Sequence, residues 1–345
     1  MFATLRRALL AFYDEHKRDL PWRRTTDPYA IWVSEIMLQQ TQVDVVKPRY
    51  AMFLERFPSA NALARASESQ VCEAWAGLGY YRRARNLHKA AQQLMREHGG
   101  EFPRTAKELQ KLAGVGRYTS GAIASIAFGE EAPVVDGNVA RVLARLFMIE
   151  DASDTAAGQK ETWALTAELA KGPRPGDLNQ ALMELGATVC TPRSPKCLTC
   201  PLAKMCKARL KGEESLYPRP TKQAKTKPLP LSFAIYASDA GTYLRQRPLE
   251  GLWPGLWEPP SADSPAELSA LIGVRLGKPI GEVTHQLSHR DVRATIYRVR
   301  RVATALELKA WENPLDAPLS ALARKVLIAA KERRTEMTVR GDKLI

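Results

Sequence analysis

No stretch of this 345-residue chain approaches the roughly 18 consecutive apolar residues of a membrane helix. Its opening, Met1-Phe2-Ala3-Thr4-Leu5-Arg6-Arg7, meets polar residues before any apolar core of a secretory signal can form. Cysteine is scarce: there are five, and four of them crowd into residues 190–206, which argues against a secreted disulfide framework. These absences predict a soluble protein in a reducing, cytoplasmic setting, without a membrane partner. Acid is short relative to base, with 37 Asp and Glu against 51 Lys and Arg, and the net charge of +14 suits a polyanionic partner. No internal repeat is evident, and strand-like alternation is nearly absent before residue 210.

What is present up to that point is helical periodicity, over 31–46, 63–76, 84–95, 122–128, 139–148 and 178–189. Pro21, Pro28, Pro48, Pro58, Gly99-Gly100, Pro103, Pro173 and Pro175 punctuate the gaps. Residues 217–230 hold four prolines together with Arg219, Lys222, Lys225 and Lys227, the composition of a semi-rigid basic linker. Beyond it, 231–237, 242–246, 280–287 and 291–302 alternate as strands, and 266–272 and 319–331 read as helices. The expected organisation is a mostly α domain over 1–215, a linker over 216–230, an α+β domain over 231–332 and a loose tail over 333–345.

The most informative segment is Leu112-Ala113-Gly114-Val115-Gly116-Arg117-Tyr118-Thr119, followed by Val135-Asp136-Gly137-Asn138. Two glycines around one apolar residue make a tight hairpin with outward N–H groups, and a helix over 119–128 adds its positive end. Such a hairpin, here placed within 108–128, grips a nucleic-acid backbone without reading sequence, although Gly-X-Gly turns between helices are also common. Glu35 sits in Ile31-Trp32-Val33-Ser34-Glu35-Ile36-Met37-Leu38, where desolvation raises its pKa and keeps it protonated, as a general acid requires. Either carboxyl alone has a plain reading, Glu35 as a satisfied buried acid and Asp136 as a helix cap. One raised acid beside one ionised carboxylate is the arrangement for glycosidic cleavage through an oxocarbenium-like transition state. Gln39-Gln40-Thr41-Gln42 and Gly77-Leu78-Gly79-Tyr80-Tyr81 place amides and aromatics on turns that suit wedging into a base stack. Cys190, Cys197, Cys200 and Cys206 are separated by six, two and five residues, an uneven spacing that favours a 4Fe–4S cluster, with zinc the alternative.

Jointly these residues resemble the helix-hairpin-helix DNA glycosylases related to endonuclease III, and more closely the MutY-like adenine glycosylases. The resemblance is dense over 1–210 and looser over 231–330. Leu20-Pro21-Trp22, the run from Trp32 to Val43, Gly77-Leu78-Gly79-Tyr80-Tyr81 and the cysteine spacing carry it. It implies that Glu35 protonates N7 of a flipped adenine. Asp136 would stabilise or capture the sugar cation, with Tyr118 and Asn138 positioning the charge. Trp22, Arg23 and Gln180 would line the adenine pocket. Gln40, with Thr41 beside it, and Tyr80 would surround the lesion base, while Gly114, Val115 and Gly116 bind phosphate. Bifunctional relatives carry a lysine where this chain has Tyr118. A phenol forms no Schiff base, so base removal without efficient strand cleavage is expected.

The resemblance also implies a C-terminal Nudix-like fold that recognises 8-oxoguanine opposite adenine. Gly251-Leu252-Trp253 through Trp257-Glu258-Pro259-Pro260 matches the segment before a Nudix hydrolase motif, but the acidic box that should follow is missing from 261–273. The lesion-reading loop, usually Phe-Ser-His, is Leu287-Ser288-His289 here. The expected partner is double-stranded DNA with adenine opposite 8-oxoguanine or guanine, bound by a monomer in a bacterial nucleoid. A pyrimidine-directed glycosylase/lyase and a non-catalytic DNA-binding protein are the competing readings.

Overall fold

The computed structural model describes residues 1–220, 226–248, 250–287 and 289–339, with side chains to residue 332. The chain divides into two units, Met1–Lys222 and Gln223–Ile345. The first is helical: α1 (Phe2–His16), α2 (Pro28–Leu38), α3 (Val43–Arg56), α4 (Ala60–Arg65), α5 (Glu68–Ala74), α6 (Arg82–His98), α7 (Ala106–Leu109), α8 (Arg117–Phe128), α9 (Gly137–Phe147), α10 (Ala156–Ala170), α11 (Pro175–Thr188) and α12 (Lys207–Lys211).

Helix α2 is the central element. The Asp27 side chain caps it by accepting from the Tyr29 N–H at 3.0 Å. Pro28 follows at the first position, where a missing N–H costs nothing. Residues 29–37 are buried on every face, as in a helix enclosed by others. Periodicity over 31–46 predicts one helix, but the structure has two, because Gln40 takes a left-handed φ of 57° and ends the first. Residues 63–76 likewise split, since the Ser67 hydroxyl and the Gln70 side chain form a capping box that starts α5 afresh. Pro48, which reads as a gap, lies inside α3. Leu5, Leu9, Phe12, Val139, Leu143, Leu178, Leu182 and Leu185 form the core that joins α1, α9 and α11.

The second unit is a mixed sheet in the order β3-β2-β1-β6-β5, from β1 (Lys227–Ser238), β2 (Gly241–Gln246), β3 (Trp257–Glu258), β5 (Gly281–Leu287) and β6 (Arg290–Val299). Short β4 (Ser261–Ala262) pairs with β1, and β7 (Lys309–Trp311) with β2. Helices α13 (Pro265–Ile272) and α14 (Ala321–Val339) complete it, and Phe233, Ile235, Leu244, Ile296, Leu322 and Val326 form its core.

Two sequence boundaries move. The 216–230 segment is not linker to its end, because Lys227 to Pro230 already pair in parallel with Arg290 to Arg293. The Lys227 N–H bonds the His289 carbonyl at 3.0 Å. In a parallel ladder alternate residues face the same neighbour, so Pro228 and Pro230 turn their missing N–H away from β6. Helix α14 also continues to Val339, past residue 333 where a loose tail is expected, and 340–345 lie outside the described residues.

Gly176 sets how closely α11 approaches α8. A Cβ there would lie 2.6 Å from the Ser125 carbonyl oxygen and 2.7 Å from the Ile126 Cα. Gly176→Ala therefore costs about 2 kcal/mol of overpacking and lowers the urea midpoint of unfolding. An unchanged midpoint would contradict the close approach.

Candidate active site

The candidate site centres on Glu35. Helix α2 carries it, 5 % exposed. From α8 the Tyr118 hydroxyl donates to its Oε2 at 2.7 Å and lies 3.5 Å from the Met183 sulfur of α11. Burial pushes the Glu35 carboxyl up to about 7; the Tyr118 hydrogen bond pulls down, Asp136 pushes up and Arg23 pulls down. The Tyr118 phenol is driven well above its ordinary range by burial and then by the neighbouring Glu35 and Asp136 carboxyls.

Asp136 is the N-cap of α9. Its Oδ1 accepts from the Val139 N–H at 2.7 Å and its Oδ2 from the Asn138 side-chain amide at 2.8 Å. The structure therefore bears out the capping reading of Asp136. Asn138 accepts in turn from Arg141 Nη2 at 2.8 Å, and Arg141 Nε donates to the Cys190 carbonyl at 2.8 Å.

Trp22 is buried, edge-on to Tyr50, with ring centroids 5.4 Å apart. Arg23 next to it is engaged: its Nη2 donates to Glu184 Oε2 at 2.7 Å, and Arg18 Nε holds Oε1 at 2.7 Å. Glu184 is fully buried; burial pushes its carboxyl up, but the Arg18 and Arg23 hydrogen bonds outweigh that and hold it below its usual range. Gln180 and Met183 lie one turn before and one residue before Glu184 on α11, and Gln180 is buried.

In the hairpin Gly114 has φ 72°, and a Cβ there would lie 2.6 Å from the Asn86 Cβ, so glycine is required on both counts. Val115 points inward, and its N–H is spent on the Leu112 carbonyl at 3.1 Å. The N–H groups of Gly114 and Gly116 have no such partner among the described residues and precede the positive end of α8. Gln40 and Tyr80 are exposed on their turns, and both adopt left-handed φ, 57° and 47°. Thr41 instead turns inward, its hydroxyl 3.5 Å from the Leu78 carbonyl and 3.1 Å from Arg83 Nη2.

Cys190, Cys197, Cys200 and Cys206 line a single cavity with Arg145 and Arg209. Among the described residues no three such ligands converge on one metal ion, whereas four thiols around a shared cavity suit a multinuclear cluster. Burial pushes the Cys200 thiol up to about 11 and raises Cys197 and Cys206 as well, so cluster binding displaces their protons. In the second unit Leu287 ends β5, partly buried against the core, and His289 is exposed at the turn into β6. Ser288 lies outside the described residues. Glu258, just before the missing Nudix box, is buried in an ion pair with Arg247 at 2.7 Å.

Sequence reading missed Glu184, Arg141 and Arg83. Each is one charged residue among many, and only the fold shows its partners.

Residues 33–168 match the HhH-GPD superfamily of base excision DNA repair proteins, 190–206 the iron–sulfur binding domain of endonuclease III, and 232–329 the NUDIX domain. Adenine DNA glycosylase of Mus musculus is 37 % identical over 99 % of this chain and 80 % of its own length. The Homo sapiens protein of that name is 52 % identical over 61 % of this chain. That match spans 40 % of the human protein, and the Rattus norvegicus match spans 42 % of its counterpart. Among solved structures, a thermostable thymine-DNA glycosylase is similar over 61 % of this chain and 97 % of its own, with TM-score 0.57 and 33 % identity. A trapped endonuclease III–DNA covalent intermediate is similar over 61 % and 98 %, with TM-score 0.51 and 25 % identity.

Glu35 has a measurable linkage to stability. An acid whose pKa rises on folding, here from 4.5 to about 7, holds its proton more tightly in the folded chain. Native stability is then fully present below about 4.5 and falls by about 3 kcal/mol as pH rises through 7. Glu35→Gln removes that loss, so its melting temperature gains on the native protein between pH 5 and pH 8. A difference that is constant with pH would show that the carboxyl is not raised.

Proposed function

The chain belongs to the adenine DNA glycosylase family, and we propose that it removes adenine mispaired with 8-oxoguanine, more weakly with guanine, from double-stranded DNA. The observation that carries this reading is the buried Glu35 carboxyl, hydrogen-bonded to Tyr118 and pushed up to about 7 by burial.

The DNA backbone docks on the Gly114 and Gly116 N–H groups, and Gln40 and Tyr80 occupy the space left when adenine is flipped out. Trp22 and Gln180 receive the base, the amide pairing with its edge. Glu35 gives its proton to adenine N7 as the glycosidic bond breaks, so the bonding electrons leave on a neutral base. The sugar is left as an oxocarbenium ion that the Asp136 carboxyl stabilises or captures. Water then adds to C1′ and loses a proton, completing hydrolysis. Tyr118 holds Glu35 in place and has no amine with which to cleave the strand. The cysteine quartet holds the 4Fe–4S cluster, which staples residues 190–206 and takes no part in the base chemistry. The exposed His289 turn is the proposed reader of 8-oxoguanine.

The test is single-turnover cleavage of a duplex with one adenine opposite 8-oxoguanine, quenched with and without hot alkali, beside adenine–thymine and guanine–thymine duplexes. Strand breaks that appear only after alkali, and only at the mispaired adenine, are expected. Breaks at thymine opposite guanine would favour a thymine-directed enzyme instead, and breaks without alkali a lyase. Glu35→Gln should slow release by about 10²–10⁴-fold with duplex binding retained. The native rate should fall as pH rises above about 7, where Glu35 loses its proton.

A further inference from the structure

The two turns 39–42 and 77–81 each hold one non-glycine residue in the left-handed region, Gln40 at φ 57° and Tyr80 at φ 47°. Such backbone persists only where its surroundings hold it. One guanidinium does the holding for both turns. Nη1 of Arg83 donates to the carbonyls of Ile36 at 2.7 Å, Met37 at 3.0 Å and Gln39 at 2.6 Å. Nη2 donates to the Thr41 hydroxyl at 3.1 Å and to the carbonyls of Leu78 at 3.0 Å and Gly79 at 3.3 Å. The same group lies 5.5 Å from the Trp75 ring centroid and 5.6 Å from that of Tyr80.

The chemistry requires arginine. The Ile36 and Met37 carbonyls belong to the last turn of α2, whose acceptors lack helical partners and favour a cation. Reaching the second turn at the same time needs donors on two separate nitrogens held in one plane. Lysine offers three donors on a single atom and cannot span both turns. Among the described residues Arg83 Nε is buried without a hydrogen-bond partner.

We propose that Arg83 is a positioning residue that ties turns 39–42 and 77–81 into one rigid unit, so that Gln40 and Tyr80 enter the duplex together. This rests on the DNA reading above. Arg83 acts through the two turns and touches no substrate. Asn86, on the same helix, packs under Gly114, so α6 also registers this unit against the phosphate hairpin.

The test is a double-mutant cycle read by single-turnover adenine release. Gln40→Ala, Tyr80→Ala and their combination are measured in the native and the Arg83→Lys backgrounds. Coupled turns make the combined loss depart from the product of the single losses by about tenfold, within the range for directly coupled neighbours. In the Arg83→Lys background that departure should fall below about twofold. Independent losses in the native background, or coupling that survives Arg83→Lys, overturn the proposal. Hydrogen exchange without DNA gives a second readout. Arg83→Lys should speed exchange in both turns together while α1, α9 and α11 keep their protection. Exchange that changes in one turn only, in neither, or across the whole unit contradicts a dedicated tie. If the native protein releases no adenine, the catalytic reading fails, and the exchange measurement alone decides the role of Arg83.

Discussion

One hydrogen bond organises the candidate site: the Tyr118 hydroxyl on Glu35 Oε2, 2.7 Å long, between α8 and an α2 that is buried on every face. A carboxyl in such a place must be neutral or partnered. A neutral phenol partners it without forcing ionisation, whereas a close cation would pull its pKa down. The nearest candidate, Arg23, is held by the fully buried Glu184, which Arg18 also grips. Asp136, which pushes the Glu35 carboxyl up, is itself fixed at the start of α9 by two N–H donors.

Helix α11 is the spine that makes this possible. Gln180 lies one turn before Met183 and Glu184 on it, and glycines at either end let neighbouring backbones close in. Gly176 meets α8 at Ser125 and Ile126, and Gly186 meets α9 at Asn138, where an added Cβ would lie 2.6 Å from the Asn138 Cβ. Helices α8 and α9 are thus seated against α11 by close contact, which leaves little freedom for Tyr118 or Asp136 to drift. At its far end α11 runs into the cysteine loop, and Arg141 ties that loop to Asn138. The loop is therefore joined to the carboxylate side of the site by hydrogen bonds as well as by the chain.

Much of this was legible in the sequence where the signal is local. An apolar run around one acid marks Glu35, two glycines mark the hairpin, and the cysteine spacing marks the cluster loop. The β-rich segments beyond residue 230 likewise fall on β1, β2, β5 and β6. Helix breaks were less visible, because Gln40 and Tyr80 take left-handed backbone without being glycine, and periodicity carries no sign of that. The strand at Lys227 was hidden by prolines that are tolerated only because their nitrogens face away from β6. Charges whose partners come from other elements were invisible in principle. Arg83, Arg141 and Glu184 read as surface residues until the fold encloses them with their partners.

The most direct measurement is the titration of the Glu35 carboxyl itself, by carbon NMR of protein labelled at glutamate side chains. A midpoint near 7 is expected in the native chain. It should rise further in Tyr118→Phe, where the hydrogen bond that favours ionisation is lost, and fall in Asp136→Asn, where the repelling charge is lost. A native midpoint near the ordinary 4.5, unmoved by either substitution, would contradict a protonated acid at the centre of the site.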